Sequence, residues 1–341
     1  MNLVATATRA LERVALPDSV TRAGIALLVE RTSRRLQHVD RDAERVFASE
    51  MARYPIALNP DDANAQHYEL PPAFFAHILG PRRKYSCCLY NGATTTLAEA
   101  EENALAETAG HAGLEDGQHV LELGCGWGSL TLWMAEHFPR SEIVAVSNSW
   151  PQRAHIEAEA TRRGLGNVTV LTADMNVFDA DARFDRVVSV EMFEHISNWP
   201  ALLARVHGWL DRRGLLFLHV FSHRAMPYRF DRDDKSDWIA QHFFTGGVMP
   251  SHGLIWELDE RFVVEADWRW NGVHYRRTAE QWLENFDANG AAIEGILRQV
   301  YGGDAALWAR RWRLFFLAAA GLFGARHGTE WGISHYALRP R

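Results

Sequence analysis

Five short apolar runs, separated by segments long enough for helices, restrict what this chain can fold into from residue 119 onward. They are HVLEL (119–123), EIVAVS (142–147), VTVL (168–171), FDRVVSV (184–190) and GLLFLHVF (214–221). A strand covered by helices on both faces has no polar side to show, so it reads as a continuous apolar run and not as an alternation. The stretches at 129–138, 151–164 and 199–210 have helical character, and Asn198 is placed to cap the last of them. Strand and helix in alternation predict a doubly wound α/β domain on a parallel sheet. RFVVEADW (261–268) and WGISHYAL (331–338) are expected to close that sheet as antiparallel strands.

The rest of the chain is organised around this domain. Residues 1–56 read as helices, because Ile25, Leu28, Val29, Leu36, Val46 and Met51 recur at helical steps between charges. Asn59-Pro60-Asp61-Asp62 then marks a break. Segment 223–255 is irregular and aromatic-rich, and 278–324 is mostly helical. With 341 residues, 47% of them hydrophobic, the chain can bury one large core and carry an added lobe. A net charge of −7 and the lack of a Lys/Arg cluster with interleaved aromatics argue against nucleic acid and against strong attraction to anionic lipid. The first twenty residues lack the apolar core of a secretory signal, and the longest apolar run, LFFLAAAGLFGA (314–325), is too short to span a bilayer. The expectation is a cytoplasmic protein with no stable membrane insertion, with 314–325 as an amphipathic helix. Cys87 and Cys88 are adjacent and Cys125 stands alone, so neither a disulfide framework nor a metal site can be built from them.

Two segments carry chemistry. ELGCGWG (122–128) follows the first strand and opens a helix, and its glycines let a ligand lie against the backbone at the helix N-terminus. A tight strand-to-helix turn with no ligand is the other reading. A dinucleotide is disfavoured, because the third glycine comes one residue early and the second strand ends in SNS (147–149), without an acid for the ribose. S-adenosylmethionine is the alternative, with Asp174 accepting from the adenine amine and Met175 packing on the ring. Asp174 also reads as a loop or capping aspartate. The second segment, SVEMFEHIS (189–197), sets Glu191, Glu194 and His195 within five positions at the end of the fourth strand. That is acid/base capacity, or else two acids favoured by a helix N-terminus.

The succession HYELPPAFF (67–75), YSCCLY (85–90), TLAEAEENAL (96–105), LELGCGWGS (121–129), FEHIS (193–197) and HFFTGGVMPS (242–251) resembles the cyclopropane fatty acyl phospholipid synthase superfamily. WNGVHYRRTAEQWLENFDAN (270–289), RWRLFFLAAAGLF (311–323) and GTEWGISHY (328–336) resemble its coclaurine N-methyltransferase branch. The resemblance implies a class I methyltransferase fold, Rossmann-like with a doubly wound seven-stranded sheet. It divides the chain into an N-terminal helical segment (1–56), a cofactor-binding core (57–222) and a helical substrate cap with the closing strands (223–341). S-adenosylmethionine becomes the expected cofactor, with S-adenosylhomocysteine as product. By position, Tyr85 and Ser86 would meet its methionine end, Gly124 and Gly126 its backbone cradle, Ser147 and Gln152 the ribose, and Asp174 and Met175 the adenine.

The superfamily divides by what receives the methyl group. In the synthases an alkene attacks, and a bicarbonate ion removes a proton; its ligands match the Cys87 backbone, Glu194, His219 and Tyr275. In the N-methyltransferases an amine attacks, and the residues that hold it and take its proton match Glu69, Glu191, Glu194 and His195, with aromatic walls from Phe323 and Trp331. Glutamate at 191 marks the amine branch, where synthases usually have glycine. His219 is what synthases carry, where the plant amine enzymes tend to have an acid. From the residues alone His219 reads equally as a core histidine, Tyr275 and Trp331 as cap core, and Glu69 as a loop carboxylate. The expected activity is N-methylation of a small, partly aromatic or apolar amine. The rivals are methyl or methylene transfer to an unsaturated acyl chain and a catalytically silent cofactor-binding or assembly protein. A homodimer through the first fifty-odd residues is left open.

Overall fold

The computed structural model describes residue 12 and residues 16–37, 42–58, 70–234, 237–258 and 260–341. Helices α1 (Asp18–Leu36), α2 (Ala43–Met51), α3 (Pro72–Ala76) and α4 (Leu97–His111) precede the sheet. Helix α4 begins at a capping box, in which Thr96 Oγ1 accepts from Glu99 N and the Glu99 carboxylate accepts from Thr96 N. The alternating core follows as β1 (His119–Leu123), α5 (Ser129–His137), β2 (Glu142–Ser147), α6 (Trp150–Arg163), β3 (Val168–Thr172), β4 (Phe184–Val190), α7 (Trp199–Trp209) and β5 (Leu210–His223). These are the expected strands and helices. Strand β5 begins earlier than its apolar run, because Asp211, Arg212 and Arg213 at its start are exposed and give no apolar signal.

Beyond β5, the short strands β6 (Tyr228–Arg229) and β7 (Val248–Met249) pair with each other, with helix α8 (Trp238–His242) between them. Strand β8 (Phe262–Asn271), helices α9 (Val273–Ala288), α10 (Gly290–Tyr301) and α11 (Ala305–Gly324), and strand β9 (Trp331–Pro340) complete the chain. The sheet has seven strands in the order β3-β2-β1-β4-β5-β9-β8. Strands β1 to β5 pair in parallel, and β9 lies antiparallel between β5 and β8.

The chain runs outward from β1 in one direction and from β4 in the other, so a crevice opens where these two neighbours end. Leu123 pairs with Ser189 across them, which makes the glycine turn and the segment beginning at Glu191 emerge side by side. The cap closes over this edge. Trp282, Phe286, Trp312 and Phe316 from α9 and α11 are buried together, and α1 clamps α11 through Asp18, which accepts from both terminal nitrogens of Arg313 (2.6 and 2.9 Å). The apolar run 314–325 therefore lies mainly in a cap helix. Among the described residues no helix is long and apolar enough to cross a membrane.

Candidate active site

One cleft at the ends of β1 to β4 is lined by Gly124, Gly126, Ser147, Gln152, Asp174 and Met175, and at its inner end by Glu191 and His195. The turn is open toward a ligand: Gly124 and Gly126 have φ of +77° and +51°, and a Cβ at Gly126 would meet no described atom within 4 Å. Ser147 Oγ donates to Gln152 Oε1 (2.6 Å), while Gln152 Nε2 is buried without a partner among the described residues. Asn176 donates to Asp174 Oδ1 from its backbone N (2.9 Å) and from Nδ2 (3.1 Å), which orients the carboxylate. An unfilled amide donor, an oriented acceptor and an open backbone turn fit the ribose, the adenine amine and the amino-acid end of S-adenosylmethionine in turn.

At the inner end the carboxylate of Glu191 is gripped from three separate segments. Its Oε1 accepts from Cys87 N (2.9 Å) and lies 3.3 Å from His219 Nε2, and its Oε2 accepts from the Tyr275 hydroxyl (2.6 Å). Cys87 comes from the loop before α4, His219 from β5 and Tyr275 from α9, so the grip joins core to cap. Three of the four groups expected to ligate bicarbonate thus hold a carboxylate of the chain itself. The fourth, Glu194, is turned away: its Oε1 accepts from Phe221 N (2.6 Å), and its Oε2 is buried with no partner among the described residues.

Burial pushes the Glu191 carboxyl above the usual carboxylate range, against the opposing pull of the Lys84 charge and of hydrogen bonds from Cys87 and Tyr275. Glu194 is held well above that range, by burial first and then by the charge of Glu191 beside it. The donors around Glu191 favour negative charge on that carboxylate over Glu194, whose second oxygen has no partner among the described residues. His195, in the single turn that follows β4, stacks on Phe244 (4.6 Å between centroids), and burial brings its imidazole down to about 4. At neutral pH the inner cleft therefore presents a neutral imidazole at His195 beside two carboxyls that burial holds above the usual range.

The sequence profile of the mycolic acid cyclopropane synthetase family matches residues 58–328. The chain belongs to this family. It is an S-adenosylmethionine-dependent methyltransferase. It is similar to an (S)-coclaurine N-methyltransferase of Thalictrum flavum subsp. glaucum, 35% identical over 84% of this chain and 81% of the relative. A cyclopropane-fatty-acyl-phospholipid synthase of Escherichia coli (strain K12) is 29% identical over 87% of this chain and 74% of its own. Among solved structures, a coclaurine N-methyltransferase bound to N-methylheliamine and SAH superposes with a TM-score of 0.91 at 32% identity, covering 97% of this chain and 98% of that one.

Within this methyltransferase the remaining expected residues fall in different places. Ser86 Oγ accepts from Lys84 Nζ (2.5 Å), and the ring of Tyr85 packs against Phe75 and Trp282. Phe323 stacks on Tyr275 (4.3 Å, 22° between planes) and so backs the residue that holds Glu191. Trp331 is fully buried, with its indole N–H donating to the Tyr228 hydroxyl (3.3 Å). Glu69 lies outside the described residues. Lys84 is a residue that sequence reasoning passed over: it is buried and donates to the Cys87 carbonyl (2.7 Å) as well as to Ser86. The charged residue heading the YSCCLY loop was the only signal for it.

Glu191 has φ of +48°, in the left-handed region that glycine occupies without cost. The resemblance puts glycine at this position in the synthases, so the glutamate takes up a backbone conformation better suited to its alternative. Glu191→Gly should therefore be more stable than Glu191→Ala by about 1 kcal/mol, the penalty of a Cβ in this region. Urea unfolding of the two variants measures it, and equal midpoints would mean that the backbone at 191 carries no strain. Both lose the same side-chain contacts, so the comparison isolates the backbone.

Proposed function

We propose that this methyltransferase transfers a methyl group to the nitrogen of a small amine, with Glu191 as the anion that holds the substrate and takes its proton. The observation that supports this most is the carboxylate of Glu191 in the grip of Cys87, His219 and Tyr275. An ammonium group pairs with an anion in that place and then loses its proton to it, whereas a neutral alkene has no charge to pair with it. The same grip leaves bicarbonate without three of its expected ligands. His219, the residue that spoke for the synthases, is accounted for here by its place against Glu191. The names of similar relatives, in sequence and in structure, point the same way.

S-adenosylmethionine, when bound, supplies an electrophilic methyl group. Gly124 and Gly126 would receive its amino-acid end, Ser147 and Gln152 the ribose, and Asp174 with Met175 the adenine. Glu191 draws the ammonium form of the substrate into a cleft that excludes bulk water, and deprotonation leaves the nitrogen lone pair free to attack in line. Neutral His195 lines the same cleft and does not compete for the charge. The test is methylation of a panel of small primary and secondary amines, using methyl-labelled cofactor in buffer stripped of carbon dioxide. Labelled N-methyl product is expected with no response to added bicarbonate. Bicarbonate-dependent labelling of unsaturated phospholipid, with no amine product, would overturn the proposal.

A further inference from the structure

A line of imidazoles leads from Glu191 away from the cleft and out to solvent. His219 on β5 and His335 on β9 are paired across the sheet, and His335 Nε2 lies 2.8 Å from His219 Nδ1. On its other side His335 Nδ1 lies 2.9 Å from Nδ1 of His111, the last residue of α4. The inner end is the 3.3 Å approach of His219 Nε2 to Glu191 Oε1. At the outer end His111 Nε2 lies 3.9 Å from Glu107 Oε1, and these two side chains are 16% and 41% exposed. His219 and His335 are fully buried. Aromatic rings sheathe the line: Trp268 stacks on His111 (3.8 Å, 8°), Trp270 packs on both inner histidines, and Phe217 sets its edge against His335.

We infer that His219, His335 and His111 form a proton exit, which carries the proton taken from the amine by Glu191 to the surface beside Glu107. The inference rests on the amine reading above. A buried histidine needs partners for its nitrogens, and a carbonyl or a hydroxyl would serve. Three imidazoles joined nitrogen to nitrogen, from the reacting carboxylate to the surface, provide something further. Each ring can accept on one nitrogen while it releases from the other.

The step balances as follows. An N–H bond of the ammonium breaks toward Glu191 and leaves its electron pair on nitrogen. The resulting carboxylic acid donates from Oε1 to His219 Nε2, and His219 gives up its Nδ1 proton to His335 Nε2. His335 passes its Nδ1 proton to His111 Nδ1, and His111 releases its Nε2 proton to Glu107 or water. One proton enters and one leaves. Glu191 is again a carboxylate, and each ring stands in its other tautomer; the rings regain their first tautomers by passing one proton inward to Glu191, which loses it to water in the cleft once product has left. Burial holds His219 and His335 well below the usual imidazole range, with Lys84 adding to the effect, so the rings conduct as neutral groups and do not store the charge. The exit is needed because a substrate seated on Glu191 covers the cleft side of a carboxylate that is already only 8% exposed.

The test uses the full chain with an amine that the wild type methylates. His111→Ala should lower kcat at least about tenfold, leave KM and cofactor affinity unchanged, and regain rate as imidazole is added, because the lost group is at the surface. His335→Phe should lower kcat as much and show no rescue, since its ring is sealed. Unchanged cofactor affinity by calorimetry certifies that each variant is folded, and a larger solvent deuterium isotope effect on kcat in His111→Ala marks proton transfer as limiting. A histidine that serves only packing would answer neither to imidazole nor to deuterium. Wild-type kcat in His111→Ala, or a loss that imidazole does not restore, overturns the exit while amine turnover by the wild type still stands. Absence of amine turnover in the wild type overturns the amine reading and the exit with it.

Discussion

Glu191→Gln should slow amine methylation by about a hundred- to ten-thousandfold, the range in which a positioned proton acceptor contributes, with cofactor affinity nearly unchanged. Glutamine keeps the shape, and its amide oxygen can still accept from Cys87 while its amide nitrogen donates to the Tyr275 oxygen, but it carries no charge to hold an ammonium group and cannot take its proton. Single-turnover rates with labelled cofactor measure the chemistry, and calorimetry measures the cofactor separately. The pH profile gives a second reading of the same residue. Glu191 must be ionised to act, and burial raises it above the usual carboxylate range. The rate should therefore fall as pH is lowered through a value above that range, and the limb should vanish in Glu191→Gln. A limb that persists in the variant would assign it to another group, and an unimpaired variant would remove Glu191 from the mechanism.

Much of the fold was legible because its strands are buried on both faces. HVLEL, EIVAVS and FDRVVSV coincide with β1, β2 and β4 to the residue, since the consecutive apolar positions of a helix-covered strand mark it without alternation. The glycine turn and the Glu191 to His195 segment were legible for a similar reason. Each is a short local pattern, and neighbouring parallel strands deliver the two to one place. The grip on Glu191 was not legible in that way. Cys87, His219 and Tyr275 are far apart in sequence, and the resemblance that gathered them named a different occupant. The role of His335 depends on strand register, because only the pairing of β5 with β9 sets it against His219, and nothing within WGISHYAL specifies that pairing.

The glycine turn and the carboxylate are also mechanically joined, and Gly124→Ala should damage both. At φ of +77° a Cβ on residue 124 is strained in itself, and it would lie 2.5 Å from both Cβ and Cγ of Met192. Met192 directly follows Glu191, whose own φ is +48°, so the methionine can give way only by moving the backbone that aims the carboxylate. A displacement of about 1 Å at a reacting group costs roughly a hundredfold in rate, and the strained turn weakens the cofactor cradle besides. Gly126→Ala is the control: its φ is also positive, but its Cβ meets no described atom and projects into open space at the cleft. That variant should lose cofactor affinity and keep its rate at saturating cofactor, whereas Gly124→Ala should remain slow however much cofactor is supplied. Titrating cofactor against single-turnover rate in the two variants separates the effects. If saturation restores Gly124→Ala, the contact with Met192 does not reach Glu191, and the aim of the carboxylate is set by the grip of Cys87, His219 and Tyr275 alone.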